Sequence, residues 1–331
     1  MPADPIYVPP QRIGFKTLGP ADSLQVNVLV DQALTAFGLE GYEIANLIQH
    51  SNVIAHLVSE SGPELALRLR TGPSVDGRTE FEWLSAVRRS TSLRVVQTFA
   101  DEFASNTWIA EDTDGTPTEC SLFLWAEGKP LAADLTPENY FELGRMSAEL
   151  HRFASNWVQP PGLKPLMWNR TMYYEGSSLV IADPRYSELI SREDARAVEA
   201  VVKEADEELA RLGTGSDRIF LHGNIEMWNV LVTAPGELRL IDFEDVMFGH
   251  PVQDVAITLY YGSERPDYAD LSYAYQRGYR SVRDWPVMDN RQVELLVASR
   301  AAMLLNHALQ TESDRKSVIN RLLPLILAMG R

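Results

Sequence analysis

The stretch LHGNIEMWNVLVTAPGELRLIDFEDV, residues 221–246, gathers the side chains of this chain best suited to chemistry. Two β-type runs, 229–232 and 238–243, flank the turn sequence TAPGE at 233–237, which spells a hairpin. With Val232 opposite Leu238, paired residue numbers sum to about 470, and Asn229 and Asp242 sum to 471. They therefore lie side by side at the open end of the hairpin. An amide oxygen beside a carboxylate is a hard-oxygen pair of the kind that holds magnesium, with water and substrate phosphates completing the shell. Glu244, two residues on, points to the same side of an extended chain and is a further candidate ligand. For the pair alone, a surface hairpin with scattered polar residues is the competing reading.

The elements that must position this segment follow from periodicity. Residues 24–50 read as one or two helices, with Leu29, Val30, Ala33, Leu34 and Phe37 at helical spacing. Runs 53–58 and 65–70 read as a strand hairpin around Gly62-Pro63, the second alternating leucines with Ala66, Arg68 and Arg70. A helix is expected at 79–89, and strands at about 93–99, 106–110 and 120–125, with Asp114-Gly115 as a turn. Thr136-Pro137 is a helix start, and Tyr140, Leu143, Ser147, Leu150 and Ala154 then share a face. Ser191 with Asp194 resembles a capping box and opens a helix that stops at Gly213. Beyond 252 almost everything reads as helical.

The 331 residues suit one large domain or two moderate ones. A net charge of −16 repels phosphate backbones and argues against nucleic-acid partners; it suits solubility, or attraction of small cations. No apolar run approaches the roughly 20 residues that span a bilayer, and the N-terminus MPADPIYVPPQ lacks the pattern of a secretory signal. Cys120 is the single cysteine, so no internal disulfide forms. Together these features lead to the expectation of a cytoplasmic protein. The sequence leaves the oligomeric state open.

The order His222-Gly223-Asn224, then Asn229, then Asp242-Phe243 resembles the HGDxxxxN loop and IDF(D/E)D strand of the aminoglycoside phosphotransferase, choline kinase and homoserine kinase superfamily. NVIAHLVSESGPELALRLR, RTEFEWLSAV, SLFLWAEGKPL, LGRMSAELHRFA and FGHPVQDVAITL resemble, in order, further stretches of that family, over roughly residues 30–310. The resemblance implies an α+β, two-lobed protein-kinase-like fold, with a small antiparallel-sheet N-lobe at 1–126 and a larger, mainly helical C-lobe at 127–331. The C-lobe would carry a catalytic loop at 222–229 and a metal strand at 238–245. It implies ATP and Mg2+ as cofactors and a small-molecule hydroxyl as acceptor. Arg68 would contact the nucleotide phosphates, with Arg70 as the fallback, and Glu80 would hold that cation. Asn52 would sit over the phosphates, backbone near Leu122, Phe123 and Leu124 would face adenine, and Asn229, Asp242 and Glu244 would serve the metal. His222 and Asp254 would brace the loop.

Asn224 occupies the position at which that family carries its catalytic aspartate. A neutral carboxamide does not take a hydroxyl proton at neutral pH, although it can hydrogen-bond the hydroxyl. Four readings follow: an inactivated variant, a nucleotide-binding pseudokinase with a regulatory role, Glu226 acting as the base, or transfer without a base. Only 11 residues separate Asp242 from Asp254, which leaves little room for a peptide platform and favours a small acceptor over a protein serine. Tyr260, Tyr261, Tyr268, Tyr273, Tyr275 and Tyr279, with Glu264, Asp267 and Asp270, form either an aromatic, acidic pocket for an amine or ordinary core and surface.

Overall fold

The computed structural model describes residues 20–49, 52–70, 77–111, 115, 117–174, 176–263, 265–311 and 314–329. Asp114 and Glu264, named above, lie outside them. Helix α1 (Pro20–Phe37) is followed by strands β1 (Glu43–Gln49), β2 (Val53–Val58) and β3 (Leu65–Arg70), helix α2 (Gly77–Ser90), and strands β4 (Thr107–Glu111) and β5 (Pro117–Leu124). The strands form one antiparallel sheet in the order β1-β2-β3-β5-β4. Leu65, Leu67 and Leu69 stand opposite Leu57, Ala55 and Val53. With Cys120, Leu122 and the α1 residues Val26, Leu29, Val30 and Ala33 they close a small apolar core. Each leucine taken fully from water there contributes about 1.5–3 kcal/mol. Period 2 puts Arg68 and Arg70 on the other face, and that face is buried as well.

Two expectations are corrected here. The helix over 24–50 ends at Phe37, because Gly38 takes φ +66° and Leu39 N–H reaches back to Leu34 O at 2.9 Å, a Schellman closure. A second left-handed glycine, Gly41, turns the chain, and 43–49 continues as edge strand β1. The run 93–99 is extended but makes only isolated bridges, Val95 to Leu240 and Thr98 to Phe123. It is the seam between this sheet and the chemistry-bearing hairpin.

The remaining chain builds the larger core. Its elements are β6 (Lys129–Pro130), α3 (Pro137–Ala154), β7 (Leu166–Met167), α4 (Arg192–Gly213), β8 (Ile219–Leu221), β9 (Val230–Ala234), β10 (Glu237–Leu240), β11 (Met247–Gly249), α5 (Pro251–Gly262), α6 (Tyr268–Arg280), α7 (Asn290–Thr311) and α8 (Arg315–Met329). Thr136 caps α3 and Ser191 caps α4, each accepting an N–H three residues on. Although α2 lies between strands of the small sheet, its Trp83, Leu84 and Val87 join this core, Trp83 packing on Phe153 and Trp157 at 5.6 and 4.9 Å. Helix α2 thus ties the small sheet to the larger core.

Helices α3 and α6 touch backbone to backbone. A Cβ at Gly144 would lie 2.0 Å from Tyr275 O, and one at Gly278 would lie 1.8 Å from Phe141 O. Neither obstacle can rotate away. Gly278→Ala is expected to cost about 1–3 kcal/mol, a fall in Tm of roughly 2–10 °C. Gly213→Ala, whose Cβ meets only Asn169 at 3.8 Å, serves as the near-neutral control in the same thermal melt.

Candidate active site

The hairpin forms in the expected register: Leu238 opposes Val232, Arg239 opposes Leu231, and Leu240 opposes Val230. Ile241 N–H continues the ladder to Asn229 O at 3.0 Å. The strand expected to run through 243 or 245 stops at Leu240, however, because Asp242 turns into the left-handed region at φ +64°. Such a conformation is uncommon outside glycine, and Asp and Asn tolerate it best. The turn swings Asp242, Glu244 and Asp245 out of the ladder, and the buried Phe243 anchors it against His222.

The loop at 222–229 is braced from below. Asp254, fully buried, accepts His222 N–H at 3.0 Å and Gly223 N–H at 2.9 Å, and lies 3.1 Å from His151 Nε2. His222 Nε2 donates to Ile241 O at 3.1 Å, so its Nδ1 is the acceptor facing Asn224 N–H at 3.3 Å. Burial lowers the His222 pKa and keeps this ring neutral. Gly223 has φ +83°, and a Cβ there would meet Asp245 O at 2.0 Å, so the loop presses directly on the segment after the hairpin.

Across the cleft, Arg68 on β3 donates both Nη atoms to Glu80 on α2, at 2.8 and 2.6 Å. Its Nη1 lies 3.9 Å from Asp242 Oδ1 and 3.9 Å from Glu244 Oε2. Burial works against the Arg68 charge, but Glu80 and then Glu244 and Asp242 outweigh it and raise its pKa. Arg70 pairs with Glu119 and lies 3.6 Å from Glu80, behind Arg68. Asn52 donates to Glu244 Oε2 at 2.5 Å. Burial and the neighbouring Asp242 push the Glu244 carboxyl up to about 7. Burial and Glu244 push Asp245 up to about 6.

Most of the expected site residues thus converge. Arg68, Glu80, Asn52, Asp242 and Glu244 form one chain of contacts. Asn229 joins from the loop side, buried, its Nδ2 donating to Asn224 O at 3.1 Å and so aiming Oδ1 the other way. Strand β5 departs from expectation. The N–H groups of Leu122 and Leu124 bond Asn106 O and Gln97 O, and Leu122 O accepts from Phe99. These backbone groups are committed to the sheet, and Leu122 and Leu124 pack toward the small core. Of the three, only Phe123 faces the cleft, its ring 5.1 Å from the Arg68 guanidinium.

The loop around Glu226 is turned rather than extended, Glu226 N–H bonding Asn224 O at 2.9 Å. Glu226 is buried and hydrogen-bonded to Tyr261. Asn224 is held at both ends of its amide. Arg300 Nη2 donates to its Oδ1 at 2.7 Å, and its Nδ2 donates to Asp245 Oδ2 at 3.0 Å. Tyr174 donates to the other Asp245 oxygen at 2.8 Å. Asp245, Arg300 and Tyr174 are the site residues missed by sequence reading. Arg300 did leave a signal: a lone arginine among Leu295, Leu296, Val297, Ala298, Ala301 and Ala302 of a buried helix face. Of the six tyrosines, Tyr261 reaches this cluster, at 3.3 Å from Arg300. Tyr260, Tyr275 and Tyr279 are core, and Tyr273 is exposed.

A small antiparallel sheet facing a mainly helical body, with this loop and hairpin between them, defines the two-lobed, protein-kinase-like α+β fold. The chain belongs to the phosphotransferase enzyme family, whose sequence model matches residues 49–290. No curated protein sequence matches it. Among solved structures it is similar to a microcompartment-associated aminopropanol kinase, at 19% identity and a TM-score of 0.75, covering 92% of this chain and 96% of that one. It is also similar to an amicoumacin kinase solved in complex with AMP-PNP, Ca2+ and Ami, at 17% identity and a TM-score of 0.70, with 92% and 96% covered. A thermostable mutant of an aminoglycoside phosphotransferase follows at 16% identity and a TM-score of 0.60, with 91% and 98% covered.

Proposed function

We propose that this chain is a cytoplasmic, ATP- and Mg2+-dependent phosphotransferase that moves the γ-phosphoryl group to a hydroxyl of a small molecule. The observation that carries the reading is Arg68, gripped by Glu80 and pointed at Asp242 and Glu244. A buried cation faces two carboxylates, of which Glu244 is lifted by burial and then by Asp242, and the cluster is short of positive charge. Hard oxygen donors in that state fit a divalent cation bound together with phosphates. When bound, the metal would neutralise phosphate charge, with Asn229 and Asp242 as ligands and Glu244 as ligand or water holder. Arg68 binds and orients the phosphates, and Asn52 holds Glu244 in place.

Asn224 does not take the acceptor proton. The carboxylate that its amide touches is Asp245, and that carboxylate is the base in this reading. Glu226, turned toward Tyr261, is not. The short passage from Asp242 to α5 leaves room for a small acceptor and not for a peptide platform. Amine recognition by a tyrosine pocket loses its support, since Tyr260, Tyr275 and Tyr279 are packed inside and Tyr273 is exposed. A pseudokinase role is the second reading, and the asparagine at position 224 is the observation in its favour.

The test is transfer from γ-labelled ATP to a panel of small alcohols and amino alcohols, with magnesium and with chelator. Acceptor-dependent, metal-dependent labelling is expected. Tight nucleotide binding without transfer to any acceptor would favour the pseudokinase. No nucleotide binding at all would sink both.

A further inference from the structure

A cavity of about 320 Å³ opens between the C-terminal end of α2, the extended run 93–97 and β10. Arg88, Arg89, Arg94 and Arg239 all line it, in a chain whose net charge is −16. Their partners are few. Arg94 pairs with Glu237 at 2.5 Å, both half exposed, and Arg88 donates to the neutral Thr98 hydroxyl at 2.9 Å. The Arg89 and Arg239 side chains have no hydrogen-bond or ion-pair partner among the described residues. Asp101 is the one carboxylate in the lining. Four positive charges against Asp101 and Glu237 leave the concavity at +2.

Compensation of the α2 dipole accounts for cations at its last turn, Arg88 and Arg89. It does not account for Arg239, which projects from the middle of β10 between the buried Leu238 and Leu240. Nor does it account for Arg94, which comes from the seam. Guanidinium groups from three separate segments converge on a cavity of small-ligand size. Planar forks with unused donors match the oxygens of a phosphate group two at a time. We propose that this cavity binds a small phosphate-class anion with at least two negative charges, held chiefly by Arg89 and Arg239, with Gln97 as a neutral donor at the wall.

The position gives such an anion a consequence. Arg89 belongs to α2, which carries Glu80 and so holds Arg68. Arg239 belongs to β10, which leads directly into Asp242. The seam is hydrogen-bonded to β10 through Val96 N–H to Leu240 O at 2.8 Å and Leu240 N–H to Arg94 O at 3.0 Å. An anion bridging Arg89 and Arg239 fastens the two site-bearing elements to each other. The effect on catalysis rests on the phosphotransferase reading; the binding itself does not.

The experiment is calorimetric titration of inorganic pyrophosphate, and separately inorganic phosphate, into the full chain without nucleotide, with sodium chloride at matched ionic strength as control. Because neither guanidinium has a partner among the described residues, Arg89→Gln and Arg239→Gln are expected to leave the anion-free Tm unchanged, which checks folding. Each is expected to weaken pyrophosphate binding by about tenfold or more, since a lost charge-assisted hydrogen bond of ordinary strength does so. Unchanged affinity in both variants would put the anion in the cleft or elsewhere and overturn the proposal. So would the absence of any heat with the parent protein at millimolar pyrophosphate. Loss of anion binding in the variants stands whether or not the parent transfers phosphate, so this result and the functional one separate cleanly.

Discussion

Asp242→Asn is expected to lower phosphoryl transfer by roughly 10³-fold while leaving the fold intact, the order seen when a single charge-stabilising group is removed from a reaction centre. The substitution is nearly isosteric, and asparagine tolerates the left-handed backbone that Asp242 adopts at φ +64°. The hairpin and its turn are therefore retained. What changes is charge. Asp242 Oδ1 lies 3.9 Å from Arg68, and Asp242 is the main neighbouring charge that lifts Glu244. Removing it lets the Glu244 pKa fall and leaves a weaker oxygen set for a dication. Nucleotide affinity measured without magnesium should change little, because Arg68 and Glu80 are untouched. The magnesium concentration for half-maximal rate should rise. Turnover within about threefold of the parent at all magnesium concentrations would mean that Asp242 does not serve the metal, and the site assignment would have to be redrawn.

The sequence carried the hairpin register because it depends only on spacing: a pair sum near 470 follows from the turn, and the ladder obeys it. Where that strand ends is a tertiary matter. The chain leaves the ladder at Asp242 because Phe243 is buried against His222 and Gly223 packs on Asp245 O, contacts between segments that no local pattern contains. The misread strand at 43–49 is different. Gly38 and Gly41 stood in the sequence as stop signals, but the apolar spacing of α1 runs on past them. The N–H groups expected near adenine at Leu122 and Leu124 are taken within the fold by Asn106 O and Gln97 O, contacts with segments that no local strand pattern contains. The Arg300–Asn224–Asp245 contact joins positions 76 and 21 residues apart. Only the buried arginine in an apolar helix hinted at it.

That contact decides what Asn224→Asp should do. Only an amide satisfies both neighbours, with its oxygen accepting from Arg300 and its nitrogen donating to Asp245. A carboxylate in its place would set an anionic oxygen about 3 Å from Asp245 Oδ2, and two such groups do not both ionise. Asp245 already sits near 6 through burial and Glu244, and the new neighbour would raise it further. A carboxyl whose folded pKa lies above its unfolded value holds its proton in the native state, so stability falls as pH rises through that range. The variant should match the parent near pH 5 and lose on the order of 1–3 kcal/mol by about pH 8, read as Tm against pH. Arg300 would offset part of this by pairing with the new charge. Transfer should not improve, because Asp245 would be partly protonated at the pH of assay. Asp245→Asn, with Asn224 intact, should lose about 10²–10⁴-fold in kcat with nucleotide affinity little changed, the usual share of a general base. A gain of that size in Asn224→Asp would reverse the assignment: the asparagine would then be a block in an otherwise complete site, and Asp245 only its neighbour.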